Sequence, residues 1–299
     1  MSDLKCALLP NRGVIAVSGP DAKKLLQGVV TADMDLLGLA SDALHSGLLS
    51  PQGKILFDFF IVPHGDGYLI ETGKAQIPDL VKRLTMYKLR ASAEIVDVSA
   101  DYSVAAVWGA NSAAISGHVG CIAFIDPRRP DMGVRLLLTL ANDGVLKYID
   151  ADAASQPAYD THRVALGVPE AGKDFLLGDT FPHEALYDQL AGVSFTKGCF
   201  VGQEVVSRMQ HRGTARKRVV RVVAESPLPE TGTQVRAGSS LIGTLGTVDG
   251  TQALAMLRID RAAEAIAKGE TPKAGDAAVE IRIPPWATFS LTSTSVDHA

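Results

Sequence analysis

Cysteine is scarce in this 299-residue chain, which holds only Cys6, Cys121 and Cys199. An odd number, separated by 115 and 78 residues, supports neither a disulfide framework nor a C-x-x-C zinc or redox motif. Such sparse use fits a reducing compartment. Long apolar runs are also missing. The longest, such as Ile55–Val62, contain Asp58 and fall far short of the ~20 residues that cross a bilayer. The start, Met-Ser-Asp-Leu-Lys, shows no apolar signal region and no Arg- and Ser-rich transit segment, so the expectation is a soluble, bacterial-type cytoplasmic protein without a membrane partner. No sign of charge dominates: 29 Lys plus Arg face 33 Asp plus Glu, a net charge of -4. That balance argues against non-specific wrapping of nucleic acid, and no stable nucleic-acid complex is expected. A 20–50-residue repeat, a G-x-S-x-G elbow and His or Cys pairs at zinc spacing are all absent, which removes solenoids, α/β-hydrolases and ordinary zinc sites.

What is present is the composition of globular domains, 46% hydrophobic and 21% charged, and the length suits about two domains or three small ones. Val14–Val17 reads as a strand. Ser18-Gly-Pro-Asp then opens a helix, with Ser18 as cap and Ala22, Leu25, Leu26, Val29 and Val30 at helical spacing. Strands are expected at 44–49, 55–62 and 68–71, and an amphipathic helix runs from Ile77 to near Arg90. Further strands at 93–98, 103–107, 121–125 and 134–140 surround a helix at 111–118. The stretch 157–216 reads as loop-rich. Short strands at 219–223, 234–236, 241–248, 252–257 and 279–283 have the spacing of a small barrel, followed by a frayed tail at 292–299.

The densest chemistry lies in Lys197-Gly-Cys-Phe-Val-Gly-Gln-Glu204. Glycines on both sides of Cys199 allow close backbone approach, and a cation or a helix N-terminus beside the thiol favours thiolate. Gln203 and Glu204 can present donors and acceptors to the edge of a heterocycle. A buried cysteine in a glycine turn fits the same residues equally well. Arg208, His211, Arg212, Arg216, Lys217, Arg218 and Arg221 form either an electropositive wall for an anionic ligand or a charged edge strand. Ser50-Pro-Gln-Gly-Lys54 lacks the P-loop spacing and reads as a hairpin turn. Tyr87-Lys-Leu-Arg90 ends a helix, and His183-Glu184 places a base beside a carboxylate.

Lys197–Glu204 resembles the K-G-C-[YF]-x-G-Q-E signature of the YgfZ-type folate-binding proteins, relatives of the glycine-cleavage T-protein, an aminomethyltransferase. Similar landmarks occur in order at Gly19–Ala22, Leu25–Asp33, Ser50–Lys54, Tyr87–Arg90, Asp126-Pro-Arg128, Gly167–Glu170 and Gly178–Glu184. The resemblance implies an α+β, three-domain cloverleaf around a channel for tetrahydrofolate. Its divisions are 1–48 with 141–215 as a discontinuous folate-binding domain, 49–140 as a second α+β domain, 216–290 as a β-barrel, and 291–299 as a tail. It implies an accessory role in assembly or repair of [4Fe-4S] clusters in client enzymes, including radical enzymes that modify tRNA, rather than conventional enzymatic turnover. Cys199 is then the reactive thiol and one candidate for a transient cluster ligand. Lys197, Gly198, Gln203, Glu204, Arg212, Gln27, Lys54 and Arg90 are the expected contacts to tetrahydrofolate or a one-carbon derivative. The expected partners are folate, [4Fe-4S] client proteins and cluster-assembly factors.

Departures separate this chain from the T-protein. Phe57-Asp58 stands where that family carries paired aspartates, Ala165 where it carries a pterin-holding glutamate, and Ala32 where an asparagine is frequent. Losing one carboxylate of a pair argues against aminomethyl transfer, although Asp58 survives. An aminomethyltransferase or demethylase is the second reading, and a module docking on RNA or a client protein is the third.

Overall fold

The computed structural model describes residues 4–38, 42–117, 121–139, 149–213 and 215–291. The expected tail at 292–299 lies outside them, as do the last residues of the strand expected at 134–140 and the helix expected at 111–118. The chain divides into two compact units, Met1–Tyr159 with Leu190–Val205, and Asp160–Gln189 with Val206–Ala299.

The first unit contains two five-stranded sheets. Its elements in chain order begin with β1 (Leu4–Leu8), β2 (Arg12–Ser18), α1 (Ala22–Val29), β3 (Leu44–Leu49), β4 (Ile55–His64), β5 (Gly67–Gly73), α2 (Ile77–Lys88) and β6 (Glu94–Asp97). They continue with β7 (Tyr102–Gly109), β8 (Cys121–Ile125), β9 (Val134–Thr139) and β10 (Asp152–Ala153). One sheet is antiparallel throughout, in the order β3-β4-β5-β2-β6. Leu26 and Val29 of α1 and Leu80 and Leu84 of α2 close its apolar face over Ile15, Phe59, Ile61 and Ile70. Each such side chain, fully buried, stabilises the unit by roughly 1.5–3 kcal/mol. The other sheet, β10-β1-β7-β9-β8, is antiparallel except where β10 joins β1.

Several expected details shift. Ser18 ends β2 instead of capping α1, because the first helical residue is Ala22 and Asp21 occupies the cap. Asp21 accepts a hydrogen bond from Ser92 N (2.7 Å), so its side chain anchors the approach to β6. The expected helix at 111–118 is a 3-10 stretch, Ser112–Gly117.

The segment expected as loops holds α3 (Gln156–Leu166) and α4 (Gln203–Arg212). Beyond them come β11 (Lys217–Val223), β12 (Gln234–Ala237), β13 (Ser240–Asp249), β14 (Gln252–Arg258), α5 (Ile259–Ala267), β15 (Pro272–Ala274), β16 (Ala277–Ala278) and β17 (Glu280–Arg282). These seven strands form one sheet, β16-β15-β12-β13-β14-β11-β17. One segment, 277–282, pairs with β15 through β16 and with β11 through β17, which nearly closes the barrel. The expected α+β class with a small C-terminal barrel is borne out. Helix α5 was not anticipated; its buried Ile259, Ala262 and Ala265 pack into the barrel core with Ile242, Leu245 and Leu257.

Candidate functional site

In the first unit, the segment carrying the octapeptide is tied to the antiparallel sheet through Thr31. Its hydroxyl donates to Gly192 O (2.6 Å) and accepts from Gly47 N (2.8 Å), while Ser194 N donates to Thr31 O (2.9 Å). Lys197 then turns inward. Its Nζ donates to the carbonyls of Gln27 (2.8 Å), Val30 (2.8 Å) and Ala32 (2.7 Å), at and just beyond the end of α1. An ammonium has three protons, and all three are used. Burial pushes this amine down from its ordinary 10.5 to about 8, against the opposing pull of Asp33 and Asp35. Gly198 and Cys199 are exposed, and the chain re-enters at buried Phe200, whose ring lies 5.3 Å from Lys197 Nζ. Cys199 thus stands on a two-residue arch between two buried feet.

The two glycines of the octapeptide have different causes. Gly202 has φ +81°, and a Cβ there would stand 2.5 Å from Ser50 O and 3.1 Å from Gly53 Cα. The second glycine therefore serves a backbone contact with the Ser50–Lys54 turn, whose Gly53 faces Val205 in return. Nothing lies within 4 Å of a Cβ built on Gly198. Among the described residues, no contact dictates the first glycine.

The other expected ligand contacts divide similarly. Gln27 donates to Asp33 (2.8 Å) and accepts from Met34 N (2.8 Å), so both ends of its amide are engaged. The hydrogen bond from Gln27 is the main reason the Asp33 carboxyl is held below its usual range. Lys197 and Gln27 thus both act as struts around the end of α1. Lys54 closes its turn, its N donating to Ser50 Oγ (3.2 Å). Glu204 and Arg212 on α4 are exposed, Gln203 is half-buried at the helix start, and Arg90 is exposed just past α2. Cys6 and Cys121 pack against an apolar cluster, and burial pushes the Cys6 thiol up to about 11.

A buried polar cluster in the same unit escaped sequence reasoning. Both ring nitrogens of His45 face oxygens, Nδ1 at Leu190 O (2.9 Å) and Nε2 at Asp58 Oδ2 (3.0 Å). Asp58 is the carboxylate that survives beside buried Phe57. Nearby, Arg12 pairs with Glu71, Arg128 with Asp126 (2.7 Å), and Arg135 approaches both carboxylates. The guanidiniums of Arg12, Arg128 and Arg135 lie 5.0–6.0 Å from the Phe60 ring centre. Burial opposes the charge on Asp126, but Arg128 and then Arg135 outweigh it and hold the carboxyl below its ordinary value. The landmark Asp126-Pro-Arg128 thus has a packing role, joining strands of both sheets. The available signal was a charge inside an apolar strand: Arg135 and Glu71 each interrupt one.

In the second unit, Arg163 is wholly buried and binds Asp160, Asp174, Thr247 and the Val168 carbonyl. Ala165, at the place of the pterin-holding glutamate, is exposed on α3. His183 is buried with Nε2 at Gln210 Oε1 (2.9 Å), and burial lowers its pKa. The basic stretch separates into two sets. Arg218 turns inward to Asp188 (2.6 Å) and His183 O (2.9 Å), and Arg221 donates to Gln252 (2.7 Å). Arg208, His211, Arg212, Arg216 and Lys217 are exposed and, among the described residues, form no ion pair. No three His, Cys, Asp or Glu side chains converge at metal-ligand spacing among the described residues.

The family described as CAF17, C-terminal beta-barrel domain, matches residues 216–289. The iron-sulfur cluster assembly factor IBA57 homolog, mitochondrial, of Mycosarcoma maydis is 36% identical over 235 residues, covering 73% of this chain and 57% of that protein. Its counterpart in Pyricularia oryzae is 35% identical over 219 residues, covering 71% and 55%. The counterpart in Cryptococcus neoformans is 31% identical over 258 residues, covering 74% and 67%. The chain thus spans little more than half the length of the first two relatives. The aminomethyltransferase T of the glycine cleavage system from Bartonella henselae superposes with a TM-score of 0.76 over 96% of this chain and 87% of that one, at 16% identity. That likeness bears out the expected T-protein fold. One expectation is corrected: these relatives carry mitochondrial names, which overturns the bacterial-type cytoplasmic assignment drawn from the first residues. The chain belongs to the family of the IBA57 homologues, relatives of the YgfZ-type proteins built on the aminomethyltransferase fold.

Proposed function

We propose that this protein is an accessory factor for iron–sulfur cluster assembly that binds tetrahydrofolate and works through Cys199. The observation carrying this reading is the arch: of three cysteines, only Cys199 is exposed, and it is presented between two buried anchors. The relatives' naming as iron–sulfur cluster assembly factors supports it. The residues proposed to meet the folate include Gly198, Gln203, Glu204, Arg212, Lys54 and Arg90. One thiol cannot hold a Cys₄-type cluster alone, so a cluster passing through this protein needs ligands from a client, a carrier or a small thiol. The proposed clients include radical enzymes that modify tRNA.

The test is complementation of a gene deletion with wild type or Cys199→Ser, reading [4Fe-4S] enzyme activity under oxidative stress. Wild type restores activity and the serine variant does not; equal rescue by both overturns the role given to Cys199. Release of methylenetetrahydrofolate from an aminomethylated lipoyl donor by the pure protein would instead establish the transferase reading.

The four exposed cations Arg208, Arg212, Arg216 and Lys217 favour a second reading, a docking face for an acidic surface of a client. Charge removal at Arg212 and Arg216 then abolishes client binding with folate affinity unchanged. A fall in folate affinity assigns those cations to the ligand.

A further inference from the structure

We propose that Lys197 is the positioning residue for Cys199, acting as a cross-link between the cysteine arch and the C-terminal end of α1. The inference deepens the proposed function, since it rests on reading Cys199 as the working thiol.

Helix α1 has no basic residue in its last turn, where a cation ordinarily satisfies the final carbonyls and the negative end of the helix dipole. Lys197 supplies that cation from 170 residues away in sequence. The Gln27 carbonyl belongs to the last turn, Val30 is the cap, and Ala32 lies just beyond. Three acceptors spread over six residues fix the ammonium as a tripod, and the Phe200 face 5.3 Å away adds a cation–π contact from the other foot. The arch has little else to hold it. Gly198 touches nothing where a side chain would stand, and both Gly198 and Cys199 are exposed. The orientation of the thiol therefore depends on its feet, and the Lys197 foot is held by three charge-assisted hydrogen bonds. A ligand-binding lysine would keep a proton available; this one has none left.

The experiment uses the full chain with Cys6→Ala and Cys121→Ala and a methanethiosulfonate nitroxide on Cys199. Room-temperature electron paramagnetic resonance reports the motion of the arch. With Lys197 intact the spectrum is dominated by a restricted component. Lys197→Met, which keeps the stem and removes the donors, shortens the correlation time at least threefold while the unfolding midpoint still shows a cooperative fold. If Lys197→Met does not fold, Lys197→Arg serves in its place. A planar guanidinium keeps the charge but cannot aim three donors as a tripod, so a smaller increase in mobility is expected. Spectra identical to the parent in the variant measured overturn the proposal. So does an equal gain in mobility at a control label on Asp66→Cys in the β4–β5 turn, because that is general loosening. This readout needs no iron–sulfur activity. Mobilisation by Lys197→Met together with full complementation by Cys199→Ser keeps the cross-link and removes the working-thiol reading.

Discussion

Arg163 has no exposed surface; it donates to the side chains of Asp160, Asp174 and Thr247 and also pairs with Glu170. Asp174 also accepts from Glu170 N (2.8 Å) and Thr247 N (2.7 Å), so α3 is joined to β13 through one ion pair. Removing one partner of such a pair leaves the other charge buried and uncompensated. Arg163→Met is therefore expected to lower unfolding free energy by about 3–5 kcal/mol in urea titrations. Arg282→Ala, which breaks the exposed pair with Glu280, is expected to leave the midpoint unchanged. The cysteines offer a second test at this scale. Burial holds the Cys6 thiol near 11, whereas Cys199 lies on the surface. Limiting iodoacetamide at pH 8, followed by peptide mapping, should modify Cys199 more than about tenfold faster than Cys6. Equal rates at the two positions would mean that the arch is closed in solution.

At the scale of elements, the two octapeptide glycines separate structure from function. Gly202→Ala forces a Cβ to 2.5 Å from Ser50 O at a φ of +81° and is expected to cost about 1–3 kcal/mol. Gly198→Ala meets nothing, so the unfolding midpoint should not move; any loss in complementation by that variant reports a contact outside this chain. The motif itself was legible from the sequence, as were α1, α2 and the main barrel strands, because each has a clear apolar period or turn signal. Helix α5 was not: it starts at Ile259, directly after β14 ends, with no glycine or proline between them. The direction of Lys197 was equally hidden. A lysine before a reactive cysteine suggests a ligand contact or a charge beside the thiol, and its actual acceptors lie 165–170 residues away. Likewise Arg218 and Arg212 look alike in a basic run, and only the strand register and Asp188 tell the buried cation from the exposed one.

For the molecule as a whole, the buried titratable groups dictate how stability depends on pH. His183 is buried and its pKa lies below the ordinary 6.5, with burial as the main cause. The unfolded chain therefore binds a proton at pH values where the folded form does not, and stability falls as pH drops below about 6.5. Asp126 acts at lower pH. Its carboxyl is held below the ordinary 3.8 once Arg128 and Arg135 outweigh burial, so its contribution is complete above 3.8 and is lost as pH falls further. Urea midpoints measured from pH 7.5 to 3 should consequently decline in two stages, one beginning near 6.5 and one below about 4. His183→Asn keeps a polar group beside Gln210 but cannot titrate in this range. It should flatten the first stage and leave the second in place. A first stage that persists in this variant would assign it to another group, and the two stages would then not map onto the turn that holds His183 and the sheet-joining arginine cluster.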